Sequence, residues 1–358
     1  MGERERRNVT RRAFFARVAG LASGAFLAGV GLSGCRKEQP APGEGPATGP
    51  KGEAGGQIIG RQVSPSELNL PCDVVVVHGE DPEQLVEAAV AELGGIEKFV
   101  KKGDRVCLKP NLAWARTPES GANTNPAIIE ATIELVKKAQ PKEIVIFEHT
   151  RDAAELCWAF SGIDEVATRQ GVTLDSGQSE SVYQAVDAPP GLYYLSDDEE
   201  KERVALDVLL ADVIINMPVL KDHSATRLSM GLKNLMGAIF HPERYHAGVG
   251  GDPDKGGEEL EKRIADLGYL IRPHLTIMDA TRVLREGGPK GDDTVPADVV
   301  NKVIAGVDAV AVDAMGAEVF GVELAEVPHV QFAAELGLGT ADLEELRAAS
   351  RIKEIELS

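Results

Sequence analysis

Residues 212–237 read DVIINMPVLKDHSATRLSMGLKNLMG. Val213 to Met217 is a short, β-branched apolar run, the signature of a strand buried on both faces. Pro218 closes it, because proline fixes φ and removes a ladder donor. Lys221, Asp222 and His223 follow, and Ser224 is suited to cap a helix. Leu228, Leu232, Leu235 and Ile239 then recur at helical spacing, with Arg227, Ser229, Lys233 and Asn234 off that stripe. The expected reading is strand, polar turn, helix over 224–236. In α/β proteins ligands bind at the carboxyl ends of strands. Free N–H groups and nearby cations there favour an anion. The plainer alternative is a solvated turn beside a charged helix face.

Outward from this stretch, apolar runs at 73–77, 105–108, 143–147, 275–278 and 302–305 predict further strands. Helical patterns at 81–92, 126–139, 206–210, 257–271, 308–320 and 341–348 lie between them. The alternation predicts an α/β fold: a mostly parallel sheet with helices on both faces, plus inserted loops. Segments 171–203 and 240–257 match no element well and read as excursions or lids.

At 358 residues, with 43% hydrophobic residues, the chain has material for a full core. Its net charge of −19 and its 4% aromatic content exclude nonspecific nucleic-acid binding and base stacking. Residues 1–35 read as an export address. Arg11 and Arg12 stand in a twin-arginine-like TRRAFF stretch, a Gly/Ala-rich apolar segment follows, and Leu32 to Cys35 resembles a lipobox with Cys35 as the lipidated residue. Removing that segment's six Arg and two Glu leaves the remainder at −23. Residues 36–69 read as a flexible Pro/Gly-rich tether and 70–358 as a single α/β domain. The expected location is therefore the extracytoplasmic side of a bacterial membrane, held by the lipid anchor alone.

Other strand ends carry chemistry as well. Lys109-Pro110-Asn111 follows the run 105–108 and offers a second cation. Thr124 and Asn125 precede Pro126 and suit capping, with Asn125 also a candidate ligand contact. Asp279 ends the run 275–278, and Glu286-Gly287-Gly288-Pro289 follows, where glycines let backbone approach a ligand. Asp279 and Asp313 are candidate ligands for a divalent cation, being oxygen donors suited to Mg²⁺ or Ca²⁺; Asp308 suits a helix cap. His149 ends the strand 143–147 beside Arg151. His241, Glu243 and His246 are spaced by loop rather than helix geometry, so only a loop would gather them around a metal. Cys72, Cys107 and Cys157 form no CxxC pair, so no iron–sulfur cluster is expected; a Cys72–Cys107 disulfide is left open by sequence. No dinucleotide fingerprint, P-loop or GxSxG motif is present.

As an ordered set, Lys109-Pro110-Asn111, Thr124-Asn125-Pro126, Asn216-Met217-Pro218, Lys221 to Ser224, Gly231 to Gly237, Asp279-Ala280, Glu286 to Pro289 and Ala305 to Asp313 resemble domain-of-unknown-function family 362. The resemblance spans about 100–345 and implies an α/β domain, often found in iron–sulfur proteins with ferredoxin-type cysteine clusters. This chain lacks such clusters. The resemblance carries no activity with it.

The residues therefore point to a small anionic ligand, a carboxylate or phosphate. Lys221, Lys233 and Lys109 would hold it, with Asn111, Asn125, Asn234, Glu286, Gly287 and Gly288 around it. Lys221, His223 and Lys109 are the catalytic candidates, His223 as general acid/base because its pKa lies nearest working pH. The competing expectation is a noncatalytic metal or cofactor carrier serving a membrane redox complex. If the export reading is right, Cys35→Ala moves the protein from the membrane pellet to the soluble fraction and abolishes acyl labelling in the native host.

Overall fold

A computed structural model describes residues 56–63, 65–247 and 256–357. Arg11, Arg12, Cys35 and the tether up to residue 55 lie outside the described residues. In chain order the strands are β1 (Ile59–Gly60), β2 (Val74–His78), β3 (Arg105–Pro110), β4 (Glu143–Phe147), β5 (Thr173–Asp175), β6 (Tyr183–Ala185) and β7 (Arg203–Ala205). They continue with β8 (Val213–Met217), β9 (Val219–His223), β10 (Arg227–Ser229), β11 (Ile271–Arg272), β12 (Leu275–Leu284), β13 (Asp298–Gly306) and β14 (Ile352–Glu356). The main sheet runs β14-β2-β13-β12-β8-β3-β4-β5. Its pairings are parallel except those of β13, which lies antiparallel to both β2 and β12. The fold is α/β with a mostly parallel sheet.

Strand side chains alternate between two faces, and the core divides accordingly. Val75, Val77, Val106, Leu108, Ile144, Ile146, Val213 and Ile215 pack against the helices Pro82–Glu92, Pro126–Lys138 and Ile163–Gln170. Val74, Val76, Cys107, Val145, Phe147, Ile214 and Ile304 face the helices Gly256–Leu270, Ala309–Phe320 and Pro328–Glu335. Two residues beyond Cys107 and Ile214 come Lys109 and Asn216, paired in register. The same period of two turns both toward the second face, where the pocket lies.

The chain departs from expectation at Pro218. The proline ends pairing with β3 at Pro110↔Met217, yet no helix begins at Ser224. β12 is ten residues long and presents an open edge, so the chain resumes as β9, parallel to it from Asp279↔Val219. β9 then folds back on β10, and Arg227 takes the left-handed φ of 59° at the turn. Leu228, Leu232, Leu235 and Ile239 are all buried as the spacing predicts. A hairpin and a one-turn helix, Gly231–Asn234, deliver them rather than one helix.

That short helix starts where Asp313 reaches it. The fully buried carboxylate accepts the N–H groups of Gly231 (2.6 Å) and Leu232 (2.9 Å) from the helix Ala309–Phe320. Asp313 thus caps a helix. Asp279 is corrected in the same way: it sits within β12, not at its end. Its oxygens accept the Asn125 N–H and the Thr281 N–H and hydroxyl. Committed to different backbone segments, the two carboxylates are not brought together as a cation site, and among the described residues no cluster of three metal-ligating side chains occurs.

The domain begins earlier than residue 70. Ile59 is buried, β1 pairs with β11, and the Arg61 guanidinium donates to the carbonyls of Val63, Pro273 and Val307. Asp308 caps its helix as expected, accepting from Val310 and Ala311. Cys72, Cys107 and Cys157 are free and buried, so no Cys72–Cys107 bridge joins the sheet. Asp313→Ala strands two buried N–H groups, and we expect a loss of about 2–4 kcal/mol, read from the denaturant midpoint at unchanged m-value.

Candidate functional site

Where the chain leaves β3 at the end of β8 and continues as β9, the sheet parts, and a pocket of about 380 Å³ opens there. Asn111 and Trp114 come from the segment after β3, Glu148, His149 and Arg151 from that after β4. Lys221 and His223 come from β9, and Lys233, Asn234 and Gly237 from the Gly231 turn. His246 arrives on the short helix Glu243–Ala247.

A relay of asparagines sets the spacing of these elements. Lys221 Nζ donates to Asn111 Oδ1 (3.1 Å), and Asn111 Nδ2 to Asn234 Oδ1 (3.2 Å). Asn234 Nδ2 in turn donates to the Lys109 carbonyl (3.0 Å) and Asn216 Oδ1 (2.8 Å). Asn216 Nδ2 closes the chain on the Gly231 carbonyl (2.9 Å). Each amide has one fixed orientation in this relay, since carbonyl partners only accept. Thr124 ties the β3 end to β8 by donating to the Met217 carbonyl (2.7 Å).

Lys109 is corrected from ligand contact to foundation. It is buried beneath the pocket, donating to the Pro110 carbonyl and to Glu148 (3.1 Å), whose carboxylate also accepts the Leu112 N–H (3.0 Å). Gly237 must be glycine here, since a Cβ would stand 1.9 Å from Glu148 Oε1 and 2.7 Å from Lys109 Nζ. Asn125 caps the helix Pro126–Lys138, accepting from Ala127 (3.0 Å), and does not line the pocket. Glu286 and Gly287 are exposed away from it. Gly288 locks the loop onto β9 by donating to Asp222 (3.0 Å), which sets Pro289 at the rim.

Lys221 and Lys233 face the pocket, and among the described residues neither has a carboxylate within ion-pair distance. Lys221 is fully buried and also donates to the Ala122 carbonyl. Burial brings its pKa down to about 7 against the opposing charge of Glu148, with Lys233 and Lys109 adding to the lowering. Among the described residues, Lys233 Nζ is hydrogen-bonded to Met236 Sδ (3.0 Å) and His246 Nε2 (3.2 Å). Burial brings it to about 7 as well. His223 lies flat against His246, ring centroids 5.7 Å apart at 8°. Its Nδ1 accepts the Ala225 N–H (3.1 Å), and burial, then the charges of Lys233 and His246, drive its pKa down to about 2. A ring held neutral in this way is poorly suited to donate a proton near neutrality, which speaks against the acid half of the acid/base role expected for His223. His149 is better placed: its Nδ1–H donates to the Ile239 carbonyl (2.9 Å), leaving Nε2 an acceptor.

Sequence reading noted His246 only as part of a loop metal triad and Arg151 only as a neighbour of His149, and assigned neither to this pocket. Their signal, two cationic residue types flanking unassigned loops, has meaning only once those loops fold over β9. Arg151 stands at the mouth 3.9 Å from Glu243, which also holds His241. Cations therefore outnumber free carboxylates around the pocket, on a chain whose net charge is −19.

Fold and site together define an α/β protein with a cationic, asparagine-braced pocket at the parting of two parallel strands. The chain belongs to the family described as Domain of unknown function (DUF362), whose model matches residues 106–318. It is 30% identical over 260 residues to the Thylakoid-associated protein sll1697 of Synechocystis sp. (strain ATCC 27184 / PCC 6803 / Kazusa), covering 70% of this chain and 74% of that one. Among solved structures it is similar to the lactate racemase apoprotein from Thermoanaerobacterium thermosaccharolyticum, at 13% identity and a TM-score of 0.42. That likeness covers 74% of this chain and 61% of the other.

The buried lysines make a stability prediction. A lysine near 7 when folded and near 10.5 when unfolded binds fewer protons in the native state. Ligand-free stability is therefore lowest below pH 7 and rises toward pH 10. Lys233→Met leaves no oxygen acceptor unpaired. It should stabilise the protein at pH 7 by about 1–3 kcal/mol and flatten the rise in melting temperature between pH 7 and 10.

Proposed function

We propose that this pocket binds a small carboxylate or phosphate anion and acts on it, in a protein exported and held at a membrane by lipid on Cys35. The single observation that carries the reading is the pair Lys221 and Lys233. Two buried amines facing one pocket, with no carboxylate within ion-pair distance among the described residues and only the longer-range charges of Glu148 and Glu261 to offset them, are costly to an empty protein. An anion between them removes that cost, and Arg151 at the mouth adds a bidentate donor. Asn111 and Asn234, locked in the relay, hold the lysines in position, so little reorganisation accompanies binding. His149 supplies a proton acceptor on the opposite wall. No divalent cation is part of this reading, because Asp279 and Asp313 already serve backbone N–H groups. The membrane location rests on residues 1–35, and the printed name of the thylakoid-associated relative is in keeping with it.

The test is calorimetry with oxalate and with inorganic phosphate in buffers of differing ionisation enthalpy. An anion returns each lysine toward its ordinary pKa, so binding at pH 8 takes up between about one and two protons and weakens as pH rises above 7. Lys221→Ala weakens binding at least about tenfold, some 1.4 kcal/mol. Absence of binding by both anions, or binding indifferent to pH, overturns the proposal.

A further inference from the structure

We infer that Lys233 is a nucleophile that forms an imine with the carbonyl carbon of a 2-oxo acid, His246 carrying the protons. The inference rests on the anion-pocket reading and adds the substrate class and the bond that is made.

The two pocket lysines are not equivalent. Lys221 has both hydrogens of its neutral form committed to oxygen acceptors, Asn111 Oδ1 and the Ala122 carbonyl, and is wholly buried. Protonation on carboxylate binding supplies a third hydrogen, and in that form Lys221 anchors the carboxylate. Lys233 has a thioether sulfur and an imidazole nitrogen as neighbours instead. A neutral amine donating to those two groups keeps its lone pair free, and burial, only partly opposed by the charge of Glu261, brings its pKa to about 7, so that much of it is neutral near that pH. The backbone carrying it is rigid, since the helix Gly231–Asn234 is fastened at its start by Asp313 and at its end by the asparagine relay. His246 is exposed to proton exchange with solvent, and burial of part of its ring, then the charges of Lys233 and Arg151, bring its pKa down to about 4, so it serves as a neutral ring that takes a proton at Nε2 and passes it on.

The step balances without a further reagent. The Lys233 lone pair attacks the carbonyl carbon as the C=O π pair moves onto oxygen. One amine proton passes through His246 Nε2 to that oxygen, giving a carbinolamine. Loss of the remaining amine proton and departure of the hydroxyl as water then form the C=N bond. One amine and one ketone yield one imine and one water, with nothing oxidised or reduced. Lys221 and Arg151 hold the carboxylate meanwhile. Once protonated, the imine withdraws electrons from the adjacent carbon, the feature a proton-transfer or carbon–carbon cleavage reaction needs.

The experiment incubates the folded protein with pyruvate and cyanoborohydride at pH 7.5, then maps peptides by mass. A reduced pyruvyl group on Lys233, lost in Lys233→Arg and competed by oxalate, is the expected result. His246→Gln should slow trapping by roughly tenfold or more while leaving oxalate affinity within a few fold. Circular dichroism confirms that each variant folds, and Lys233→Met serves as a second, more stable control. Modification of surface lysines alone, or of Lys221 in preference to Lys233, overturns the assignment. Oxalate binding without any adduct overturns the imine and leaves the anion pocket standing; loss of both overturns the two together.

Discussion

Everything at the pocket depends on β8 and β9 being one line of chain broken at Pro218. A strand in the middle of a parallel sheet must satisfy a neighbour on each side. At Asn216 the chain pairs with both β3 and β12. Past Pro218 it keeps β12 and abandons β3. The β3 end is then left with polar groups that require partners, and the Gly231 turn provides them through Asn234. A break in pairing becomes a cleft, and the cleft is walled by the side chains best able to satisfy exposed strand ends.

The cleft is held open at a cost. Two lysines and a stacked histidine pair sit where a hydrophobic core would be more stable, and each is displaced from its ordinary protonation state by burial. Against this stand the Lys109–Glu148 pair beneath the floor, the asparagine relay, and Asp313 on the short helix. These groups are fully satisfied, which stiffens the walls around groups that are not. Stability surrendered within a rigid frame is characteristic of binding and catalytic sites rather than of packing.

Much of the frame was legible. Six apolar runs marked six strands of the sheet, since a strand covered by helices on both faces has an unmistakable composition. Asn125 and Asp308 cap helices where local chemistry says they should. Lys221, Lys233, Asn111 and Asn234, grouped by sequence because polar clusters at strand ends are few, line one pocket. The errors share one cause. The stripe Leu228, Leu232, Leu235, Ile239 records which residues are buried, and a hairpin plus one turn buries them as well as a helix does.

The sequence by itself determined the alternation of strand and helix, the burial pattern, and the strand ends where chemistry gathers, because those follow from side-chain period and backbone sterics. Only the tertiary structure decided the role of each charged group. Asp313 reads as a free carboxylate until the Gly231 turn is laid against it. Lys109 reads as a ligand contact until Glu148 is found beside it. His246 reads as part of a loose triad until it folds against His223. Protonation, burial and partner choice are set by neighbours from distant parts of the chain, and no local pattern encodes them.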